Sequence, residues 1–195
     1  MPSIDVKRKR IGAKIVYYGP GLSGKTANLR YVHDHLKSEY RGKMVKVSVK
    51  GGEKQQIDLL PVKFGSIHGF QVTYNLCTVP GQAFFNETRK LVLKGTDGIV
   101  FVADSRNSRM PANIDSMENL RENLEAYDMD LEYIPHVIQY NQRDRPEVLP
   151  VAQLRSELNR YGVLEFESST TRGRGIMETL KAIIQLVRED VEERL

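Results

Sequence analysis

Apolar residues in this chain fall into short continuous runs separated by longer stretches that repeat every three to four positions. Ile15-Val16-Tyr17-Tyr18 is such a run and predicts a buried strand. It breaks at Gly19-Pro20-Gly21. From Ala27 a helical pattern follows, with Leu29, Val32 and Leu36 on one face and an end near Ser38. Arg41-Gly42-Lys43 closes that unit. The alternation in Met44-Val45-Lys46-Val47-Ser48-Val49 predicts a strand, and Lys50-Gly51-Gly52-Glu53-Lys54 a polar loop. Ile57 to Val62 and Phe70 to Val79 predict two more strands, joined as an antiparallel hairpin across Gly65-Ser66-Ile67-His68-Gly69.

Beyond Val79 comes Pro80-Gly81-Gln82, then a helical stretch ending near Lys94. The unbroken run Gly98 to Asp104 has the composition of a central parallel strand covered on both faces. Pro111 to Tyr127 predicts an amphipathic helix with Ile114, Met117, Leu120 and Leu124 inward, and Pro135 to Asn141 another strand. Val151 to Arg160 predicts a helix and Val163 to Glu167 a short strand. Gly175 to Glu193 predicts a closing helix whose Ile176, Leu180, Ile183, Ile184 and Val187 are core packing. Strands alternating with helices predict an α/β fold: a mostly parallel sheet of six to seven strands, helices on both faces, and ligand loops at the carboxyl ends of the strands. No internal repeat or low-complexity linker divides residues 1–195, which are read as a single domain.

Composition changes this picture little. With 195 residues, 40% hydrophobic and 28% charged, the chain has the make-up of a globular domain with one sizeable core. A formal net charge of +4 is mild. The basic start Lys7-Arg8-Lys9-Arg10 reads as a solvated lead-in to a strand; no aromatic interleaving or nucleic-acid module accompanies it. Cys77, the single cysteine, fits a reducing compartment and a core-filling role. No N-terminal apolar segment suggests a leader or a membrane span, so a cytoplasmic protein is expected.

Candidate chemistry lies in the breaks after strands. Gly19, four residues, then Gly24-Lys25-Thr26 has the spacing of a phosphate-binding P-loop between a strand and a helix. Glycines let successive N–H groups turn inward, and the following helix adds its positive end. Gly19, Gly21, Leu22, Ser23, Gly24, Lys25, Thr26 and Ala27 are the phosphate-side candidates, with Lys25 on the β- and γ-phosphates and Thr26 as a ligand to Mg²⁺. Thr78-Val79-Pro80-Gly81-Gln82 stands where a γ-phosphate sensor belongs: the Gly81 N–H for the phosphate, Gln82 for the attacking water. In Asn141-Gln142-Arg143-Asp144, the Asp144 carboxylate can accept from guanine N1–H and its 2-amino group, donors that adenine lacks. Ser169-Thr170-Thr171, after the last strand, sits where backbone N–H groups meet the guanine O6.

The stretches KIVYYGPGLSGKT, LCTVPGQAFFNETRKLVLKGTDGIVFVADS and PHVIQYNQRD resemble the MglA family of bacterial Ras-like small GTPases, from about Ile11 to the closing helix. Thr78 stands at the usual small-GTPase aspartate, as in that family. The resemblance implies a Ras-like fold, a GTP/GDP switch with Mg²⁺, and a cytoplasmic role in cell polarity and gliding or twitching motility. It also implies a small roadblock-type GTPase-activating partner and docking to response-regulator-like or tetratricopeptide proteins.

Two positions depart from the family pattern. The family's intrinsic arginine finger aligns with Glu53, and the threonine after it with Lys54. A guanidinium there is worth about 10³ to 10⁵ in rate, whereas a carboxylate repels phosphate. Lys54 carries charge but has no planar fork and cannot ligate Mg²⁺. Gln142 replaces a lysine that packs its stem on guanine and props the P-loop. Two readings follow: a slow, partner-dependent GTPase, and a GTP-locked binding module. A P-loop kinase or ATPase needs lid arginines, and Arg106 and Arg109 are the cluster near a helix start.

Overall fold

The computed structural model describes residues 2–51, 53–82 and 85–195. One sheet carries the strands β1 (Ser3–Asp5), β2 (Arg10–Tyr18), β3 (Val45–Gly51), β4 (Glu53–Ile67), β5 (Phe70–Thr78), β6 (Gly98–Asp104), β7 (His136–Asn141) and β8 (Glu165–Glu167). The helices are α1 (Lys25–His35), α2 (Asn86–Leu93), α3 (Met110–Glu125), α4 (Val151–Leu158) and α5 (Ile176–Glu193). Strand order is β3-β4-β5-β2-β6-β7-β8, with β1 paired to β2. The pairs β2–β5, β2–β6, β6–β7 and β7–β8 are parallel; β1–β2, β3–β4 and β4–β5 are antiparallel. This is the mostly parallel α/β architecture that the alternating pattern predicts.

Two cores lie on opposite faces, and the period-2 geometry of the strands divides residues between them. Ile11, Ala13, Ile15 and Tyr17 of β2, with Val100 and Val102 of β6, pack against α1 and α5. Val16 and Tyr18, with Ile99, Phe101 and Ala103, pack against α2, α3 and α4. Both faces of β2 and β6 are buried, hence their continuous apolar runs. Cys77 belongs to the second core, and burial pushes its thiol up to about 11. Among the described residues no helix is long and apolar enough to cross a membrane.

Four expectations about elements are corrected. The sheet has eight strands because β6 joins β2 only from Ile15, which leaves an edge beside Arg10–Gly12 that β1 takes. The first helix ends at His35 rather than near Ser38: Leu36 turns extended, and its carbonyl accepts Arg41 Nε at 2.9 Å. The expected polar loop at residues 50–54 is the end of a hairpin, since pairing continues through Lys50–Lys54 and Gly51–Glu53. The roles expected of the Glu53 and Lys54 side chains lie outside the described residues. The β4–β5 connection shrinks to His68-Gly69, both at positive φ (48° and 81°), as a two-residue hairpin turn requires.

Gly98 sets how closely α5 approaches the sheet. A Cβ there would lie 2.4 Å from Val187 Cγ2 and 3.3 Å from Ile183 Cδ1. Gly98→Ala is expected to destabilise the protein by about 1–3 kcal/mol through overpacking. The check is a lower urea midpoint at unchanged m-value; an unchanged midpoint would contradict this packing.

Candidate nucleotide-binding site

All the parallel strands end at one edge of the sheet, and the candidate loops meet there. β2 leaves the core at Tyr18 and turns at Gly19 (φ 136°), where a Cβ would lie 2.2 Å from the Val102 carbonyl oxygen. Gly24 (φ 102°) caps α1, and a Cβ on it would meet Asn141 Nδ2 at 2.3 Å. Only glycine fits either place. The first turn of α1 holds no acidic residue, so its positive end stays available to an anion. Leu22 is exposed at the crown of the loop, while Ser23 is buried with its hydroxyl unpartnered among the described residues.

Lys25 is buried, and its Nζ donates to the Gly19 and Pro20 carbonyls at 2.8 and 2.7 Å. Burial first, then the Arg89 and Arg109 guanidiniums, pulls its proton affinity down to about 7. The Thr26 hydroxyl donates to Asp58 Oδ2 at 2.6 Å. Asp58 comes from β4, and its N–H donates to Thr78 Oγ1 at 3.0 Å. Lys25, Thr26, Asp58 and Thr78, with Arg30, Gln56 and Gly81, line a cleft of about 450 Å³.

Gly81 lies directly on the P-loop: a Cβ there would be 2.3 Å from Gly21 Cα. Gln82 is exposed, and its carbonyl accepts the Phe85 N–H at 3.2 Å. On the other side, buried Asn141 donates from Nδ2 to the Ser23 carbonyl at 2.8 Å and accepts from the Ser168 hydroxyl at 3.0 Å. Gln142, at φ 64°, donates from Nε2 to the Leu22 carbonyl at 2.6 Å. The Ser169 hydroxyl, with a smaller share from its own main chain and Thr171, holds the Asp144 carboxyl below the usual carboxylate range. The Ser169 N–H donates to the Arg174 carbonyl at 3.0 Å, so that amide is not free for a base oxygen as expected; Thr170 and Thr171 follow it in the same loop.

No family model matches the chain. It is 45% identical over 193 residues to the Mutual gliding-motility protein MglA of Myxococcus xanthus (strain DK1622), and the match covers 99% of both chains. The chain belongs to the MglA family. Its α/β sheet is that of a Ras-like GTPase, and as a family member it is a GTP-binding small GTPase.

Several residues around the site of this MglA-family chain carried no signal in the sequence. Asp58 reads as one polar position in an alternating strand, and nothing local shows that it reaches Thr26. Arg89 sits in a helical stretch where a basic residue is expected at the surface, yet it is buried. Arg106 and Arg109 prove to be staples. Arg106 grips the fully buried Asp104 with Nε at 3.0 Å and Nη2 at 2.6 Å. Arg109 Nη2 donates to the Gly21 carbonyl at 2.6 Å, with its Nε 3.6 Å from Asp104.

The Lys25 environment makes a prediction about protons. A phosphate favours charged Lys25, so nucleotide binding should take up a proton where free Lys25 is partly neutral. Calorimetry of GDP binding at pH 8 in buffers of different ionisation enthalpy should show uptake approaching one proton, fading by about pH 6. The folded value of about 7 lies below the ordinary 10.5, so affinity should fall as pH rises between them. The unfolded chain holds the proton in that window, so unliganded stability should rise across it.

Proposed function

We propose that this chain is a guanine-nucleotide switch that hydrolyses GTP slowly and with help from a partner. The observation that carries the reading is the joint between base loop and phosphate loop. Asn141 ties Ser23 to the strand end from which Asp144 projects, and the Asp144 carboxylate is kept ionised by neighbouring hydroxyls. An ionised acceptor beside a phosphate cradle suits guanine and leaves adenine's pattern unmatched.

In this reading the P-loop amides and the N-terminus of α1 bind the phosphates. Lys25 leaves the Gly19 and Pro20 carbonyls to meet the β- and γ-oxygens. The Gly81 N–H faces the γ-phosphate and Gln82 orients the attacking water. Gln142 keeps a hold on the P-loop without the charge of a lysine. The Thr26 hydroxyl and Asp58 carboxylate, 2.6 Å apart, are hard oxygen donors suited to Mg²⁺, which when bound draws charge off the phosphates. Turnover is slow because the position of the family's arginine is Glu53. The protein acts in the cytoplasm on cell polarity or gliding motility. It is stimulated by a roadblock-type activating protein and recruited to a pole through response-regulator-like or tetratricopeptide partners. The named relative's motility function and the single cysteine support this.

The second reading, a GTP-locked scaffold with little hydrolysis, is favoured by Glu53 lying in a paired hairpin opposite Gly51 rather than in a free loop.

Two measurements decide. Asp144→Asn should lower the preference for GTP over ATP by roughly tenfold or more in competition binding, and unchanged selectivity would sink the base assignment. Single-turnover hydrolysis should be measurable, rise with a roadblock-type partner, and fall at least about tenfold in Gln82→Leu. No turnover under any condition, with GTP retained on the purified protein, makes the chain the scaffold.

A further inference from the structure

Between α2, α3 and the end of β2 lies a polar cluster that the nucleotide loops do not explain. At its centre is Arg89, 3% exposed. Its Nε donates to the Pro80 carbonyl at 2.9 Å and its Nη2 to the Gly81 carbonyl at 2.7 Å. Its Nη1 donates to Asn119 Oδ1 at 2.7 Å, and the guanidinium lies over the Tyr18 ring, 5.5 Å from the centroid.

The cradle is itself held. Asn119 Oδ1 accepts the Tyr18 hydroxyl at 2.7 Å, and Asn119 Nδ2 donates to Asn86 Oδ1 at 2.9 Å. Asn123 Nδ2 donates to the same Asn86 oxygen at 2.8 Å and lies 3.1 Å from the Tyr18 hydroxyl. The acceptors named here for Arg89 are neutral carbonyls and an amide. A cation buried against dipoles alone is a poor stability device, and an apolar side chain would pack there at less desolvation cost. What a guanidinium does there is geometric: a rigid planar fork spans two successive carbonyls. Those carbonyls belong to the two residues before Gln82, and the second residue rests on Gly21 of the P-loop.

We propose that Arg89 is a positioning residue for GTP hydrolysis, a clamp from α2 that fixes the Pro80 and Gly81 carbonyls and so sets where Gln82 stands over the P-loop. It rests on the reading above, in which Gln82 orients water. Arg89 touches no phosphate and acts through the segment it holds. Because Asn119 anchors the clamp to α3, a partner that shifts α3 would change the hydrolysis rate without entering the nucleotide cleft.

The test uses Arg89→Ala, Arg89→Lys, which keeps charge and stem but loses the fork, and Asn119→Ala, which loosens the clamp from a half-buried position. Single-turnover hydrolysis should fall by about tenfold to a hundredfold in both Arg89 variants and less in Asn119→Ala, while GDP affinity at about pH 6, where Lys25 is protonated with or without the Arg89 charge, stays within about twofold. Arg89→Ala combined with Gln82→Leu should be no slower than Gln82→Leu alone, since one residue acts through the other. Unchanged hydrolysis, a loss of GDP affinity matching the loss of rate, or additive effects in the double variant would overturn the proposal. Hydrogen exchange at the Gly81 and Gln82 amides gives a readout independent of turnover. Faster exchange there in folded Arg89→Lys and Asn119→Ala upholds the clamp, and unchanged exchange overturns it, even if the parent protein cuts no GTP and the GTPase reading itself falls. Should Arg89→Ala not fold, the other two variants decide.

Discussion

Burial of β2 on both faces is the constraint from which the rest of the structure follows. Odd-numbered residues from Ile11 to Tyr17 serve the α1–α5 core, and Val16 and Tyr18 serve the α2–α4 core. Sliding β2 by one residue would exchange its two faces, so both cores fix its register. Its exit at Tyr18 is therefore a fixed point. From there the chain must pass the Val102 carbonyl of β6 at a distance that admits no side chain, and the P-loop begins with that crossing. The parallel neighbours β5, β6 and β7 end at the same edge, which is why loops far apart in sequence meet there.

Several polar groups of the site bond to one another. Lys25 donates to two P-loop carbonyls, Thr26 donates to Asp58, and Gly81 rests on Gly21. In the proposed reading phosphate competes with these internal partners, and the competition couples binding to movement. On that reading Lys25 would leave its carbonyls, and a cation on Thr26 would share or displace its bond to Asp58. The lowered proton affinity of Lys25 arises from the same confinement: burial first, then the Arg89 and Arg109 guanidiniums, disfavour its charge.

In the proposed function, binding and hydrolysis draw on different parts of the fold. The base side is fixed by Asn141, Gln142 and the Ser169 hydroxyl, all anchored to strand ends or the P-loop. The Gln142 amide still reaches Leu22, so losing a lysine there leaves the P-loop supported. The hydrolytic side depends on β4, β5 and the segment before α2, whose place is set by Asp58, Thr78 and Arg89. The departures at Glu53 and Lys54 fall on this second side, in the β3–β4 hairpin.

The sequence by itself determined what is local. Periodicity of 2 and 3.6 marked the strands and helices, because each side chain's burial depends on its own element's geometry. The P-loop and the Asn141–Asp144 stretch were legible because glycine conformation and donor chemistry act within a few residues. Long-range pairing was not legible. Ser3–Asp5 is exposed and patternless, and became a strand only because β6 starts too late to cover the edge of β2. Residues 50–54 carry loop chemistry, yet cross-strand pairing extends both strands through them. Asp58 and Arg89 look like ordinary polar positions; the tertiary structure alone brings one to Thr26 and the other to the carbonyls before Gln82, because contacts across tens of residues leave no trace in local spacing.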